Sequence, residues 1–184
     1  MLHVLRVSLL ALIVGIFSQF ALAQDGKPQP VARLITSIRP VSATMSTSIP
    51  AEPNAIEKRA FEETNLARVK NGLPPFVWDD DVCRMARIHS ESMSRKGYFA
   101  HVTPEGLRLR ERARVAGILR YSVLGENIAY NQGYEDPGAF AVERWMTSAK
   151  HRSNILSSEF RAMAIGSFVA ADGSVYLTQT FITR

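Results

Sequence analysis

Three polar residues of types that can do chemistry lie in largely apolar surroundings: His101, Glu126 and His151. Each is 25 residues from the next, so they belong to different elements and match no local HExxH-type motif. Two neutral imidazoles and a carboxylate can hold a divalent metal ion. The same groups can act instead as an acid–base pair, in which the carboxylate orients one imidazole. Spacing alone leaves both interpretations open.

Ser148 lies three residues before His151 and adds a candidate nucleophile. With Glu126 as the orienting group, Ser148 and His151 would form the nucleophile and base of a hydrolase. No GxSxG elbow surrounds Ser148, however. A structural interpretation stands beside these: His101, Glu126, Ser148 and His151 would form a buried hydrogen-bonded network that ties loops to the core.

The first predicted helix runs from about residue 54 to residue 71, where Gly72 follows as a stop signal. Phe61, Asn65 and Arg68 fall on one face of this helix, because residues four and seven apart are neighbours on a helical surface. A polar pair on the stripe of a large aromatic indicates a satisfied hydrogen-bonding role. We expect Asn65 and Arg68 to anchor a neighbouring loop.

The second predicted helix begins at its N-cap candidate Asp79 and ends at Gly97. His89 lies on its inward apolar stripe, which favours a satisfied core histidine over a ligand. Cys83, the single cysteine, lies in the same helix, and we expect a buried, inert thiol. The chain therefore has no internal disulfide.

Further elements follow in the second half of the chain. We predict a short helix over about 107–116 and a short extended piece over 121–124. Another helix begins at the N-cap Asp136 and ends near residue 150. Residues 151–156 are expected to form a turn or loop.

The last segment carries the clearest strand pattern. Two apolar, partly alternating runs, 163–170 and 175–182, are joined by a turn that contains Asp172-Gly173, a strong hairpin signal. Helices followed by a terminal hairpin predict an α+β fold, in which helices cover an antiparallel sheet. A doubly wound parallel sheet is excluded because no repeated βαβ pattern appears.

Several residues near the candidate chemistry are interpreted as scaffold. We expect Trp145 in the core and a backbone-geometry role for Gly125. Asn127 and Asn154 are expected to cap loops through bonds between side chain and backbone. Arg152 is expected to pair with an acid or with carbonyls.

The N-terminus predicts export. Residues 1–23 combine Arg6, a short apolar run and Ala21-Leu22-Ala23, which is typical of a cleaved secretory signal peptide. An uncleaved anchor is the alternative. Residues 24–53 are rich in Pro, Ser and Thr and predict a flexible spacer, and residues 54–184 form the domain. We therefore expect a secreted protein, periplasmic or extracellular, with no stable membrane span after cleavage.

Composition limits the partners. The 184 residues are 46% hydrophobic and 21% charged, with a net charge of +5, ordinary values for a globular protein. The cations between Arg108 and Arg114 are interspersed with Glu111, which indicates a solvated basic face. Nucleic-acid binding is not expected, because no motif combines basic and aromatic residues.

Five short pieces of the sequence occur together in a fixed order: Asn65–Arg68, Phe99–His101, Gly125–Ile128, Trp145–Leu156, and the closing hairpin with Tyr176 and Gln179. In these pieces and their order the sequence resembles the CAP superfamily of cysteine-rich secretory proteins, insect antigen 5 and plant pathogenesis-related proteins, and in particular its bacterial single-domain branch. Each matching piece is short, but together they are specific.

The resemblance implies a three-layer α–β–α sandwich with a cleft lined by two His and two acids. Carried over by position, these are His101, His151 and Glu126, while the second acid falls at Ser148, which supplies no charge. Glu143 is five residues from Ser148, on the wrong face of a helix. The resemblance thus implies a Zn²⁺ or other divalent ion held by the two His, Glu126 and water.

Three functions follow from these observations. The first is a non-catalytic extracellular module, expected to be a monomer, whose cleft binds a lipid, sterol, peptide or cell-wall fragment. The second is an extracellular, peptidase-like hydrolase that uses the cluster of His101, Glu126, Ser148 and His151. The third is the structural network, with activity on a separate interaction surface.

Overall fold

The computed structural model describes residues 52–184, so the predicted signal peptide and all but the last two residues of the spacer lie outside the described part. Five helices and four strands form within residues 52–184. In chain order they are α1 Ala55–Lys70, β1 Val77–Trp78, α2 Asp80–Lys96, α3 Leu109–Val115, β2 Val123–Gln132, α4 Pro137–Thr147, α5 Ala149–Ile155, β3 Ala162–Val169 and β4 Ser174–Thr183.

The longer helices begin at side-chain caps, which were predicted for α2 and α4. Asn54 and Glu57 form a reciprocal capping box at the start of α1, with N–O distances of 3.0 and 2.9 Å. Asp79 caps α2 by accepting a hydrogen bond from Val82 N, and Asp136 caps α4 by accepting one from Ala139 N. Gly97 ends α2 with φ 64°, a left-handed conformation that glycine adopts at no steric cost. These local signals fix where the helices lie in the chain.

The sheet has the strand order β1-β3-β4-β2. The predicted hairpin of β3 and β4 is confirmed, and β2 pairs antiparallel with the other side of β4. The two-residue strand β1 adds a parallel pair to β3. This order leaves one side of β2 unpaired by any strand of residues 52–184.

Two local predictions were wrong. The extended piece predicted over 121–124 overlaps only the first two residues of β2, a ten-residue strand that begins at Val123 and runs through Glu126 and Asn127. Residues 151–155, expected to be a turn or loop, are helical in α5. Ser148 has extended backbone angles and separates α4 from α5, and its carbonyl accepts the first hydrogen bond of α5, from Arg152 N at 2.8 Å.

The three-layer α–β–α sandwich is confirmed, with a separate core on each face of the sheet. Alternate residues of β3 face opposite layers, since strand side chains have a period of two. Met163 and Ile165 belong to the core under α1 and α4. Ala164 belongs to the core under α2 and α3. Trp145 is 2% exposed in the first core, as predicted.

Cys83 and His89 both lie buried on the inner face of α2, as predicted. Burial raises the pKa of the Cys83 thiol to about 12, so the thiolate, the reactive form, is rare near neutral pH. The His89 ring bonds the carbonyl of Ala100 through Nε2 at 3.1 Å.

Within residues 52–184, no helix has the length and apolar character needed to cross a membrane.

Candidate functional site

A buried carboxylate cluster joins three elements. Glu126 lies on β2, Arg112 on α3, and His101 in the segment after α2. Arg112 Nη2 donates to both Glu126 oxygens, at 2.7 and 2.9 Å, and His101 Nδ1 lies 2.9 Å from Glu126 Oε1. Arg112 Nη2 also donates to the His101 carbonyl at 3.2 Å. We call Arg112, Glu126 and His101 the carboxylate cluster.

The cluster keeps Glu126 ionised. Burial acts to raise the pKa of Glu126, but the hydrogen bond from His101 and the charge of Arg112 outweigh it and hold that pKa below its usual range. An ionised carboxylate only accepts hydrogen bonds, so His101 Nδ1 must carry the proton. In a neutral ring this leaves His101 Nε2 as the unprotonated nitrogen.

Arg112 is the functional residue that the sequence analysis missed. We expected the cations between Arg108 and Arg114 on a solvated face, and for Arg112 this was wrong: it is 7% exposed. The inward position of Arg112 on α3 could have been predicted from the sequence. Leu109, Arg112, Ala113 and Ala116 fall on one stripe of α3 by helical spacing, which places Arg112 on the inward face.

Ser148 and His151 flank an open cleft along the unpaired side of β2, which we call the β2 cleft. Its volume is about 320 Å³. Its lining combines aromatic and apolar residues with a few polar ones: Phe99, Ile128, Ala129, Tyr130, Asn131, Phe140, Ala141, Arg144, Trp145, Ser148 and His151. Such a lining, apolar with a few polar groups, is typical of a ligand pocket.

Exposed aromatic rings form one wall of the β2 cleft. Phe99 is 52% exposed and Tyr130 is 46% exposed. Their ring centroids lie 6.4 Å apart with an edge-to-face angle of 63°, and Tyr176 continues the row at 5.0 Å from Tyr130. Large rings left in water at one place mark an interaction surface more often than isolated apolar residues do.

The set of Ser148, His151 and Glu126 is not assembled in the way the hydrolase interpretation requires. Within residues 52–184 no hydrogen bond joins Ser148 to His151, and Glu126 binds His101 instead. Burial, and after it the charges of His101 and Lys150, lower the pKa of His151. His151 therefore stays neutral to lower pH than an ordinary histidine.

A second polar network lies on the opposite face of β2. Asn154 donates to Asn127 Oδ1 at 2.8 Å and to the Glu126 carbonyl at 3.3 Å. Asn127 donates to Gln179 Oε1 at 2.9 Å and to the His151 carbonyl at 3.1 Å. Gln179 in turn donates to Thr64 at 2.9 Å. The network fixes α5, and with it His151, against the sheet.

Asn65 and Arg68 anchor loops rather than bond to each other. Asn65 exchanges two hydrogen bonds with the Phe76 backbone, at 2.8 and 3.1 Å. Arg68 donates to the carbonyls of Pro74, Ile155 and Ser157 at 2.7–2.8 Å. These bonds hold the segment after α1 and the end of α5.

The backbone at Gly125 passes very close to an aromatic ring. A Cβ at this position would lie 2.6 Å from Cζ of Phe160, so no larger residue fits without a shift.

Arg152 is exposed, and within residues 52–184 its side chain forms neither an ion pair nor a hydrogen bond.

The second acid that the resemblance implies is not replaced by Glu143. Glu143 lines a different groove, of about 570 Å³, which lies between α1 and α4 together with Arg59 and Lys70. Ser148 lines the β2 cleft. The expectation that Glu143 lies on the wrong face is therefore confirmed.

The residues present do not form the predicted three-ligand metal site. Both oxygens of Glu126 already accept hydrogen bonds from Arg112, so a metal ion would have to share this carboxylate with the guanidinium. Within the described residues, no group of three His, Cys, Asp or Glu side chains is arranged to hold a metal ion. We derive no chemical step through a metal, and a bound divalent ion stays a prediction.

The fold and the cleft together define a class of protein: an α–β–α sandwich with a histidine- and glutamate-bearing edge. The model of the CAP, or cysteine-rich secretory protein, family matches residues 61–181. The chain belongs to this family.

Two bacterial relatives have similar sequences. The chain is 39% identical over 128 residues to the uncharacterised membrane protein YlbC of Bacillus subtilis, covering 70% of this chain and 34% of that protein. It is 37% identical over 139 residues to the uncharacterised protein YkwD of Bacillus subtilis, covering 76% of this chain and 51% of that protein. The chain thus spans about half or less of these relatives.

Solved structures share the fold. An extracellular protein of Bacillus anthracis that contains an SCP domain is 29% identical, with a TM-score of 0.61 over 70% of this chain and 40% of that one. An outer surface protein of Borrelia burgdorferi is 19% identical, with a TM-score of 0.60 over 69% of this chain and 91% of that one. At this lower identity the likeness concerns the fold alone.

Proposed function

We propose that this chain is a secreted or surface-exposed binding module, whose β2 cleft holds a cell-wall fragment without covalent chemistry. Two points support the location: the signal peptide that the sequence predicts, and the name of the Bacillus anthracis protein that shares the fold, which describes it as extracellular. The name of one sequence relative, a membrane protein, is compatible with a cell-surface position.

The single observation that carries the proposal is the composition of the β2 cleft. The exposed faces of Phe99 and Tyr130 offer flat apolar surface on which the C–H face of a sugar ring can stack. Arg144, Ser148 and His151 lie in the same cleft and supply hydrogen bonds to hydroxyl, amide and carboxylate groups. A glycan strand with a short peptide presents all of these groups.

A lipid is a less suitable ligand for this cleft. An alkyl chain gains most from a closed apolar cavity, in proportion to the area removed from water. The β2 cleft is open and bears polar groups along one side. We therefore favour a cell-wall fragment over the lipid and sterol classes.

A second candidate function is hydrolysis, favoured by the geometry of His101. Glu126 orients the His101 ring and leaves Nε2 as a proton acceptor, which is the arrangement of a general base. In this alternative His101 would activate a water molecule that attacks the bound fragment. Ser148 would have no nucleophilic role.

The proposal is tested by titrating the purified protein with a muropeptide and with maltotetraose in a calorimeter. We expect saturable binding of the muropeptide and at least tenfold weaker binding of maltotetraose. Phe99→Ala should weaken muropeptide binding by about tenfold, since stacking on one ring contributes roughly 1 kcal/mol or more. Tyr121→Ala removes a half-buried ring outside the cleft and should change nothing.

Two outcomes would contradict the proposed binding function. Binding that Phe99→Ala and Tyr121→Ala weaken equally would place the ligand elsewhere. Cleavage of the muropeptide, seen as new products by mass spectrometry and lost in His101→Gln, would replace the binding function by the hydrolase.

A divalent ion is tested separately by equilibrium dialysis against Zn²⁺. Stoichiometric binding that is lost in a folded His101→Ala/His151→Ala variant would support a metal ion held by these two histidines. If the parent protein retains no Zn²⁺, the predicted metal site is wrong.

A further inference from the structure

A small pocket lies between α2, the segment before α3, and α3 itself. Its volume is about 180 Å³, and it shares no lining residue with the β2 cleft. Its wall is almost entirely apolar, with Met85 and Ile88 from α2, Leu107 from the intervening segment, and Ala116 from the end of α3. Arg112 also lines it, and we call it the Arg112 pocket.

Arg112 has hydrogen-bond donors that no acceptor satisfies. All of its hydrogen bonds come from Nη2. Nε and Nη1 are buried and have no hydrogen-bond partner within residues 52–184. A buried donor without a partner costs free energy, and such groups in folded proteins are rare. Two on one guanidinium, in the wall of a pocket, indicate a missing acceptor.

Charge at the pocket is otherwise balanced. Lys96 and Glu105, which also line it, form an ion pair with each other at 2.5 Å. His89 lines the inner end, and burial together with the charge of Arg112 lowers its pKa to about 4, so its ring is neutral near neutral pH. Arg112 is therefore the cation that an acceptor inside the pocket would meet.

We propose that the Arg112 pocket binds a small monocarboxylate with a short apolar tail. The carboxylate would accept hydrogen bonds from the free guanidinium donors, because the planar arginine fork matches carboxylate geometry. The tail would pack against Met85, Leu107 and Ala116. Arg112 would then bridge two carboxylates, that of Glu126 and that of the ligand.

The size of the pocket limits the ligand. At about 30 Å³ for one water-sized group, 180 Å³ accommodates about six heavy atoms, the number in butyrate. A ligand this small is expected to bind with about millimolar affinity. A dianion such as phosphate is a poorer fit, because it brings a second negative charge and no apolar tail to a wall that is almost entirely apolar.

The proposal is tested by NMR titration of the purified protein with butyrate and with butyramide, its neutral counterpart, at constant ionic strength near pH 7. We expect saturable shifts of the amide signals of Leu107, Val115 and Ala116 with butyrate. Butyramide should bind at least tenfold more weakly, because it lacks the negative charge. Equal binding of the two compounds would overturn the assignment to Arg112.

Three variants locate the site. Ala116→Leu should fill the pocket and abolish butyrate binding, while Ala67→Leu, the same change at a half-buried position in the groove between α1 and α4, should leave it unchanged. Lys70→Gln, which removes an exposed cation in the groove between α1 and α4, should also retain binding. Thermal unfolding verifies that each variant is folded.

Other results would contradict the proposal. No butyrate-induced shift at concentrations well above millimolar would mean that buried water alone satisfies the Arg112 donors. Butyrate binding that survives in Ala116→Leu, or that is lost in Lys70→Gln, would place the anion elsewhere.

Discussion

At the scale of single residues, Glu126 connects the candidate site to the core. Its carboxylate accepts from Arg112 and from His101, and its backbone carbonyl accepts from Asn154. The side chain is 3% exposed. An ionised group this deep is tolerated only because its partners are fixed around it.

Replacing Glu126 tests this dependence. Glu126→Gln keeps the shape but leaves Arg112 as a buried charge without its counter-ion, so the free energy of unfolding should fall by roughly 3–5 kcal/mol. Urea unfolding measures the change. Glu91→Gln, which breaks the exposed pair with Arg95, is the matched control and should have little effect. Similar losses in both variants would mean that the cluster contributes no more than a surface pair.

Gly125 permits a second prediction at this scale. Gly125→Ala places a methyl group 2.6 Å from the Phe160 ring, and overpacking of this kind costs about 1–3 kcal/mol. Phe160→Leu removes the obstructing ring, so the double variant should lose less stability than the sum of the single variants. Strict additivity in thermal or urea unfolding would show that the ring is not the obstacle.

At the scale of elements, the unpaired side of β2 is protected by side chains that donate hydrogen bonds to its backbone carbonyls. Trp145 Nε1 donates to the Ile128 carbonyl at 3.0 Å, and Asn154 covers the Glu126 carbonyl. A bare strand edge can pair with another chain. The segment from Trp145 to Leu156, one of the five pieces on which the family resemblance rests, therefore has a structural role. It covers this strand edge and positions His151 beside it.

The attachment of α5 is testable through Asn154. Asn154→Ala removes two hydrogen bonds and leaves Asn127 Oδ1 without this donor, so stability should fall by about 1–2 kcal/mol. Amide hydrogen exchange should accelerate in α5 and not in α1. Asn71→Ala, which removes a bond to its own helix at Ala67, is the control. Unchanged amide hydrogen exchange in α5 would contradict the role of Asn154 in holding α5 against the sheet.

The elements differ in how well the sequence predicts them. Asn54, Asp79 and Asp136 give local cap signals, and Asp172-Gly173 gives a local turn signal, so α1, α2, α4 and the hairpin were predictable. The strand β2 was not, because polar residues on both its faces, Glu126 and Asn127, conceal the alternation. The helix α5 has one buried residue, Ile155, and so lacks an apolar stripe.

The candidate site was predictable only in part. The sequence analysis singled out His101, Glu126 and His151, but it could not determine their pairing, since the partner of Glu126 comes from α3 through tertiary contact. The position of Arg112 follows from helical spacing. Its ion pair does not, because the sequence carries no signal for the approach of α3 to β2.

At the scale of the whole molecule, the buried His89 makes stability depend on pH. Its pKa is about 4 in the fold and 6.5 in a model peptide. The unfolded chain therefore binds this proton first as the pH falls, and the folded state loses stability between pH 6.5 and 4. The loss over this interval is about 3 kcal/mol. The lowered pKa of Glu126 acts in the same direction at lower pH.

Urea unfolding across this pH range, on the parent protein and on His89→Gln, measures the contribution. The parent should lose stability as the pH falls from 6.5 to 4, and the variant should show a distinctly smaller slope. An equal slope in both proteins would mean that another group accounts for the acid sensitivity.

The proposed function places the ligand in the β2 cleft. An NMR titration of the isotope-labelled protein with a muropeptide locates the ligand, because it reports every backbone amide at once. We predict saturable shifts at Phe99, Tyr130, Ser148 and His151, with no shifts at Glu63, Ala67 and Lys70 in the groove between α1 and α4. Shifts confined to that groove, or none at all, would contradict the account.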